Sequence, residues 1–343
     1  MKCYVIAEAG VNHNGSEQLA LELVDAAAAS GADAVKFQTF RAKTLVAKGT
    51  ATADYQKKQT GSSDQYAMLK QLEMSEDLHQ KLIVRCQQKS IEFMSTPFDI
   101  EAAEFLLKLG MKRIKVPSGE LTNLPLIRGF TAFNKPMILS TGMASLDEVR
   151  EAVVEVENER KIRGFVEPMG EVLTILHCTS NYPAKIEDVN LKAMQTMADV
   201  LCLPIGYSDH TDGIFISVAA VAMGATIIEK HFTLDRNLPG PDQKASLEPD
   251  ELALMVKQIH QVETSLGDGV KTPRSNELPV RALVRRSVTL VNDKTAGSEL
   301  RAEDLVLLRP GTGIPPKQLQ DVIGKRLKSA QKAGMALSWE NFI

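Results

Sequence analysis

The sequence predicts an α/β chain: a closed barrel of eight parallel strands, each followed by a helix, with a smaller unit behind it. Three observations carry that expectation. Short β-branched runs alternate with helix-period segments through the first three quarters of the 343 residues. Eight such pairs fit into about 265 residues, the length and rhythm of a (β/α)8 TIM barrel. Neither a GxGxxG nor a GxxxxGK[ST] loop occurs, and a doubly wound nucleotide-binding sheet would carry one after its first strand.

The predicted strands are 3–7, 34–37, 91–95, 113–116, 136–139, 172–176, 202–207 and 225–229. The helices between them cover 17–30, 75–89, 99–109, 123–133, 145–163, 189–198, 213–223 and 248–266. In the first helix Leu19, Leu23 and Ala27 recur every fourth position, the stripe that packs on a sheet. Ser75-Glu-Asp opens a later helix. Ser145-Leu-Asp-Glu is a capping box, in which serine and glutamate each accept a bond from a free backbone N–H. After Leu266 the rhythm stops. Residues 269–284 mix Gly, Pro, Asn and charge and read as a linker, and 285–343 hold short strands and turns. About 60 residues make only a marginal core. The expected division is therefore a barrel over 1–268, a linker over 269–284 and a small domain over 285–343.

Composition narrows the function. The chain is 44% hydrophobic and 24% charged, ordinary globular values. With 40 basic against 43 acidic residues its net charge is −3, which disfavours a nucleic-acid binder. Residues 270–343 hold 13 basic and 7 acidic side chains, against 27 and 36 before them, so the tail suits an anionic ligand or an acidic surface. Cys3, Cys86, Cys178 and Cys202 are isolated and read as buried free thiols of a reducing compartment. The first residues enter an apolar strand rather than a signal peptide. The stretch Phe215 to Ile228 is too short and too rich in Ser, Gly and Thr to span a bilayer. A soluble, cytoplasmic protein without membrane contact is expected.

Polar residues cluster where the strands end: Glu8, Lys36 with Gln38, Thr96, Lys115 with Ser118 and Glu120, Ser140 with Thr141, Asn181 with Tyr182, Asp209 with His210, and Glu229 with His231. In a barrel all these ends share one face, where active sites are built. A loop anchor explains any one of them; eight together point to a site. Of six histidines, His79 and His260 fall inside helices and read as solvated. His210 and His231 end adjacent strands, so they can converge on one divalent ion and leave positions open for water and substrate. Two hydrogen-bonded imidazoles without metal are the structural alternative. Lys36 and Lys115 interrupt apolar strands, and a buried ammonium needs a partner. With the hydroxyls of Thr96, Ser118, Ser140 and Thr141 they suit a phosphate and a carboxylate. A Schiff-base lysine, or a buried pair such as Lys115 with Glu120, would also explain them.

Ten segments make a more specific match: Glu8-Ala-Gly-Val-Asn-His-Asn-Gly, Val35-Lys-Phe-Gln-Thr-Phe, Ser95-Thr-Pro-Phe-Asp, Ile114-Lys-Val-Pro-Ser-Gly-Glu, Ser140-Thr-Gly-Met, His177-Cys-Thr-Ser-Asn-Tyr-Pro, Tyr207-Ser-Asp-His-Thr, Glu229-Lys-His-Phe-Thr, Gly240-Pro-Asp and Arg309-Pro-Gly-Thr-Gly-Ile. Together, in order and over essentially the whole chain, they resemble the N-acetylneuraminate (sialic acid) synthase family, including legionaminate-type nonulosonate synthases. The resemblance implies a TIM barrel followed by an antifreeze-like (SAF) domain, in a domain-swapped homodimer. It implies condensation of phosphoenolpyruvate with an open-chain N-acetyl amino sugar and water, releasing phosphate and leaving a nine-carbon 2-keto acid. N-acetylmannosamine is the expected sugar, with 2,4-diacetamido-2,4,6-trideoxymannose as the alternative. It places a divalent metal on His210 and His231, Mn(II) ahead of Mg(II) or Co(II), and makes Glu8 a catalytic carboxylate. By the same resemblance Lys36, Thr96, Lys115, Ser118, Ser140 and Asn181 grip phosphoenolpyruvate. Gln38, Glu120, Tyr182 and Asp242 touch the sugar, and Arg309 reaches it from the partner subunit. Gln243 stands where the family often has His, which bears on local sugar contacts. A lysine-dependent aldolase and a non-catalytic polysaccharide-assembly protein are the competing readings.

Overall fold

The computed structural model describes residues 2–52, 57 and 59–343. The chain divides into two compact units, Met1–Gly267 and Asp268–Ile343. In the first, eight strands alternate with helices: β1 (Tyr4–Gly10), α1 (Glu17–Ala29), β2 (Ala34–Thr39), α2 (Glu76–Lys89), β3 (Glu92–Pro97), α3 (Ile100–Lys108), β4 (Ile114–Val116) and α4 (Leu124–Thr131). There follow β5 (Met137–Ser140), α5 (Leu146–Arg163), β6 (Leu173–Cys178), α6 (Lys192–Leu201), β7 (Ile205–Asp209), α7 (Phe215–Ala222), β8 (Ile227–His231) and α8 (Pro249–Leu266). The ladders are parallel and run in the order β3-β2-β1-β8-β7-β6-β5-β4, and β3 and β4 pack side by side. That is a near-closed barrel, the fold the alternation predicts.

The helices start where local chemistry dictates. Ser16, Ser75, Asp99, Asn123 and Ser145 each cap a helix by accepting a backbone N–H, and Ser145 with Glu148 completes its capping box. Val5, Ala7, Val35, Phe37, Ile114, Val116 and Ile175 point outward into one apolar layer shared with the helices. The alternate residues Ile6, Ala34, Met94, Ile138, Leu176 and Ile227 meet on the barrel axis as a separate cluster. Tyr4 packs against that plug. Its hydroxyl donates to Glu92 Oε2 at 2.8 Å, and the Arg113 guanidinium sits 4.5 Å from its ring centre. The floor of the barrel is therefore sealed, and only the other end can hold a ligand.

The short helices Ala42–Leu45 and Gln65–Gln71 lie between β2 and α2, where the sequence shows no clear periodicity. Two burial expectations are corrected. Cys202 is exposed, because it caps the end of α6 in a left-handed conformation (φ 52°) rather than entering a strand. His79 is buried instead of solvated: its Nε2 lies 2.8 Å from Thr39 Oγ1, and its Nδ1 bonds the Ser75 carbonyl.

In the second unit, β9 (Ser287–Leu290) pairs antiparallel with β10 (Leu305–Leu308). Val288, Leu290, Leu300, Ile314, Val322, Leu327 and Leu337 form its core. The stretch read as a linker contains a helix, Leu278–Val284, with proline in its first turn where no N–H is needed. No helix among the described residues is long and apolar enough to cross a membrane.

Candidate active site

Two residues beyond the apolar plug, the same strands change character. Ile6 is followed by Glu8, Ala34 by Lys36, Met94 by Thr96, Ile138 by Ser140 and Ile227 by Glu229. Because strand side chains alternate, each of these points into the barrel directly above its apolar predecessor. They line a cavity of about 530 Å³ with Gln38, Lys115, Ser118, Tyr182, Ser208, His210 and His231.

At its base lies a network of buried charges. Lys36 Nζ is 2.6 Å from Glu8 Oε2, 3.6 Å from Glu229 Oε2 and donates to Thr96 Oγ1 at 3.0 Å. Lys115 Nζ donates to Glu229 Oε1 at 2.9 Å, and Ser208 Oγ donates to the same oxygen at 3.1 Å. Gln38 Nε2 donates to Glu8 Oε1 at 3.2 Å. Burial pulls the Lys36 ammonium down, but Glu229 and Glu8 outweigh it and hold its pKa above the usual value. Burial would raise the Glu229 carboxyl, yet Lys115 and Lys36 overcome this and keep it well below the carboxylate range. For Glu8 burial wins over Lys36, with repulsion from Glu229 added, and its pKa is raised. Of the two carboxylates, Glu8 is the one that can take a proton.

Two glycines make the close approaches possible. Gly10 has φ 52°, and a β-carbon there would press on Glu8, Gln38 and His231. At Gly142 a β-carbon would collide with the hydroxyls of Ser180 and Ser118. Its N–H donates to Ser118 Oγ at 3.0 Å, and the nearby Ser140 Oγ is buried without a hydrogen-bond partner. An unpartnered hydroxyl in a cavity with two ammoniums is suited to an anion.

At the mouth, the rings of His210 and His231 stand 5.6 Å apart, and Tyr182 packs 4.2 Å from His210 and 5.6 Å from His231. Burial depresses both imidazole pKa values, His210 to about 4, so both rings are neutral at pH 7. His210 Nδ1 lies 2.7 Å from the Thr179 carbonyl, which assigns its proton there and leaves Nε2, 3.4 Å from Ser208 Oγ, as the acceptor nitrogen. His231 Nδ1 is buried without a hydrogen-bond partner, 3.9 Å from Asp242 Oδ2. Burial and the nearby Glu8 charge push the Asp242 carboxyl up to about 7. Among the described residues no cluster of three His, Cys, Asp or Glu side chains forms a closed metal shell. This neutral pair could hold one divalent cation with positions left open.

The cavity thus brings together Glu8, Lys36, Gln38, Thr96, Lys115, Ser118, Ser140, Tyr182, His210 and His231 of the residues singled out in sequence. Asn181 is exposed, its Oδ1 accepting only the N–H of Tyr182 in its own turn. Glu120 accepts from Asn123 at 2.7 Å and is absent from the lining, so Lys115 pairs with Glu229 and not with Glu120. Gln243 is buried, its Oε1 accepting from the Thr233 hydroxyl and its Nε2 donating to the Asn12 carbonyl at 3.0 Å. Arg309 lies on the surface of the second unit. Sequence reasoning placed Glu229 among the polar strand ends but gave it no role, and it missed Ser208 and Gln65 as lining residues. Ser208 carried a signal, being polar at an inward position of an otherwise apolar strand.

Comparison with known proteins identifies the family. Residues 23–271 match the NeuB family, and 285–343 match the SAF domain. The chain is 54% identical over 342 residues to the N,N'-diacetyllegionaminic acid synthase of Legionella pneumophila, covering 99% of this chain and 95% of that protein. It is 46% identical over 326 residues to the synthase of the same name from Campylobacter jejuni, covering 94% and 95% of the two chains. The crystal structure of N-acetylneuraminic acid synthetase from Leptospira borgpetersenii, in complex with citrate, superposes with a TM-score of 0.72 at 35% identity, over 82% of this chain and 90% of that one. With its lysines, carboxylates and paired imidazoles in one barrel mouth, the chain belongs to the NeuB family and is a phosphoenolpyruvate-dependent condensing synthase.

Proposed function

We propose that the protein condenses phosphoenolpyruvate with 2,4-diacetamido-2,4,6-trideoxymannose and water, giving phosphate and an N,N'-diacetyllegionaminate-type nine-carbon keto acid. The observation that carries the sugar is the 54% identity, along nearly all of both chains, to an N,N'-diacetyllegionaminic acid synthase. This displaces N-acetylmannosamine, the first expectation from sequence.

The roles follow from the cavity. Lys36 and Lys115, with Thr96, Ser118 and Ser140, grip the phosphate and carboxylate of phosphoenolpyruvate. Glu229 fixes both ammoniums from below. The enol carbon attacks the sugar aldehyde, whose oxygen takes up a proton and becomes a hydroxyl; water adds to the resulting cation at carbon 2, and the tetrahedral product gives up its new hydroxyl proton as the C–O bond to phosphate breaks and phosphate leaves. Glu8, whose raised pKa lets it carry a proton, takes one from that water. The neutral rings of His210 and His231 suit a divalent cation, Mn(II) in preference to Mg(II), which when bound supplies Lewis-acid polarisation of the aldehyde oxygen. Gln38 and Tyr182 border the space left for the sugar, and Asp242 Oδ2 lies 3.9 Å from His231 Nδ1. A lysine-dependent aldolase needs an ammonium whose pKa is lowered toward neutrality. Lys36 is held in the opposite direction, which argues against that reading.

The site is completed by a second copy of the chain, whose SAF domain brings Arg309 to the sugar. Supporting this, the segments that follow β5, β6 and β7 expose Met143, Ile186 and Phe215, the last opening α7. The test is phosphate release from phosphoenolpyruvate with each sugar. The diacetamido sugar should exceed N-acetylmannosamine by about tenfold or more in kcat/KM, the scale one well-placed contact supplies. The reverse order would overturn the sugar assignment, and no release with either would overturn the condensation.

A further inference from the structure

Behind the site, on the outer face of the barrel wall, lies an ion pair outside the cavity lining. The β7–β8 ladder pairs Tyr207 with Ile228, Ser208 with Glu229 and Asp209 with Lys230, and there it ends. His210 and His231 are each the next residue, one step past the last rung. Side chains alternate, so Asp209 and Lys230 point outward where the histidines point in.

Both members of the pair are 0% exposed, with Lys230 Nζ 3.2 Å from Asp209 Oδ2. The same ammonium donates to the Thr211 carbonyl. Asp209 Oδ1 accepts from the Thr211 backbone N–H at 2.9 Å and its hydroxyl at 2.8 Å. Asp209 Oδ2 accepts from Ser217 Oγ of α7 at 2.6 Å. One ammonium, carried by the residue before His231, therefore grips the residues on both sides of His210.

Other bonds hold each histidine singly. The Phe232 N–H donates to the Glu8 carbonyl at 3.0 Å, and the Leu247 N–H to the His231 carbonyl at 2.9 Å. The His210 carbonyl accepts from the Ala184 N–H at 2.7 Å. None of these ties one histidine segment to the other; the Lys230 bridge does. Stability does not account for such a pair, because replacing a fully buried ion pair with apolar groups is commonly neutral or stabilising.

We infer that the Asp209–Lys230 pair is a positioning device that sets His210 against His231, fixing the span across which the two imidazoles share a divalent cation. This rests on the two-histidine metal site proposed above. Lys230 acts through the backbone of the 209–211 arch and touches neither substrate nor cation.

The experiment is calorimetric titration of the metal-free full-length protein with Mn(II) and, separately, with phosphoenolpyruvate. It compares the unsubstituted protein, His210→Ala and the double variant Asp209→Asn/Lys230→Met. The double variant removes both charges together and keeps an acceptor for the Thr211 N–H. It should melt cooperatively and bind phosphoenolpyruvate within about threefold of the parent. Its Mn(II) affinity should fall by about 10- to 100-fold, the usual cost of losing a group that orients a metal ligand. Parental Mn(II) affinity in that variant overturns the inference, as does an equal loss for both ligands, which would mean general loosening. If His210→Ala binds Mn(II) as the parent does, the metal site itself falls and the inference with it, a failure seen with Lys230 intact. Should the double variant not melt cooperatively, Lys230→Arg decides: it keeps the charge and displaces the donor to the Thr211 carbonyl. Unchanged Mn(II) affinity there overturns the inference, and a weakened one supports it.

Discussion

The lower and upper layers of the barrel interior come from the same strands two residues apart, yet they obey opposite rules. Below, Ile6, Ala34, Met94, Ile138, Leu176 and Ile227 exclude water and pack as hydrocarbon. Their burial stabilises the barrel by about 25 cal/mol for each Å² removed from water. Above, Glu8, Lys36, Lys115 and Glu229 are equally shielded but carry charge. Desolvating four charges costs several kcal/mol for each ion before pairing offsets it. The difference teaches that the plug holds the fold while the layer above it spends stability on chemistry. A substitution in the plug should therefore leave the chemistry alone, whereas one in the charged layer should reach the chemistry.

Glu8→Gln tests this with the largest effect. The amide keeps the shape and a contact for Gln38, but it cannot accept a proton from water. We expect kcat/KM for phosphate release to fall by about 10²- to 10⁴-fold, the range of general acid–base catalysis. Turnover within tenfold of the parent would remove Glu8 from the reaction.

Glu229→Gln comes next and strikes both properties of the upper layer. Lys115 then loses its only carboxylate partner among the described residues and Lys36 keeps Glu8 alone. Breaking a buried pair in this way costs about 3–5 kcal/mol, to be read by chemical denaturation. Phosphoenolpyruvate affinity should weaken as well, since neither ammonium stays fixed. Met94→Ala in the lower layer is the counterpart: a loss of about 2–5 kcal/mol from the cavity left behind, with kcat for folded enzyme unchanged. If Met94→Ala lowered kcat as strongly as Glu229→Gln, the two layers would not be separable.

The same contrast explains what was legible in the sequence. The outward and lower inward positions are apolar and β-branched, so the strand–helix rhythm and the plug could be read directly. At the top the signal fades because the inward residues are polar. The run ending at 229 in sequence continues as strand to His231, and the one ending at 207 continues to Asp209. That is why Glu8, Lys36 and His231 read as strand ends when they are inward positions within the strands themselves. Partnerships across the barrel were not legible at all. Lys115 and Glu229 are 114 residues apart and meet only because the sheet closes. Gln65 reaches the cavity from a short helix in a segment with no periodicity to announce it.

The smallest effect belongs to His13, which sits outside the barrel wall beside Phe37, their ring centres 6.3 Å apart. Here the environment resembles the lower layer, not the upper one: no carboxylate answers the imidazole, and its Nε2 is buried without a partner. Burial, with a smaller contribution from His79, lowers its pKa from 6.5 to about 4. The sign follows from proton counting. Between those values the unfolded chain binds a proton that the folded one refuses, so stability is complete above pH 6.5 and declines as pH falls toward 4. The limiting slope is about 1.4 kcal/mol per pH unit for a single group. Denaturant unfolding of the parent and of His13→Gln at intervals across that window isolates the contribution, because every other titrating group is common to both. The parent should lose stability more steeply, and the two curves should run parallel above pH 7. Parallel curves throughout the window would mean that the folded protein admits a proton at His13, and that this face of the wall is wetter than its packing implies.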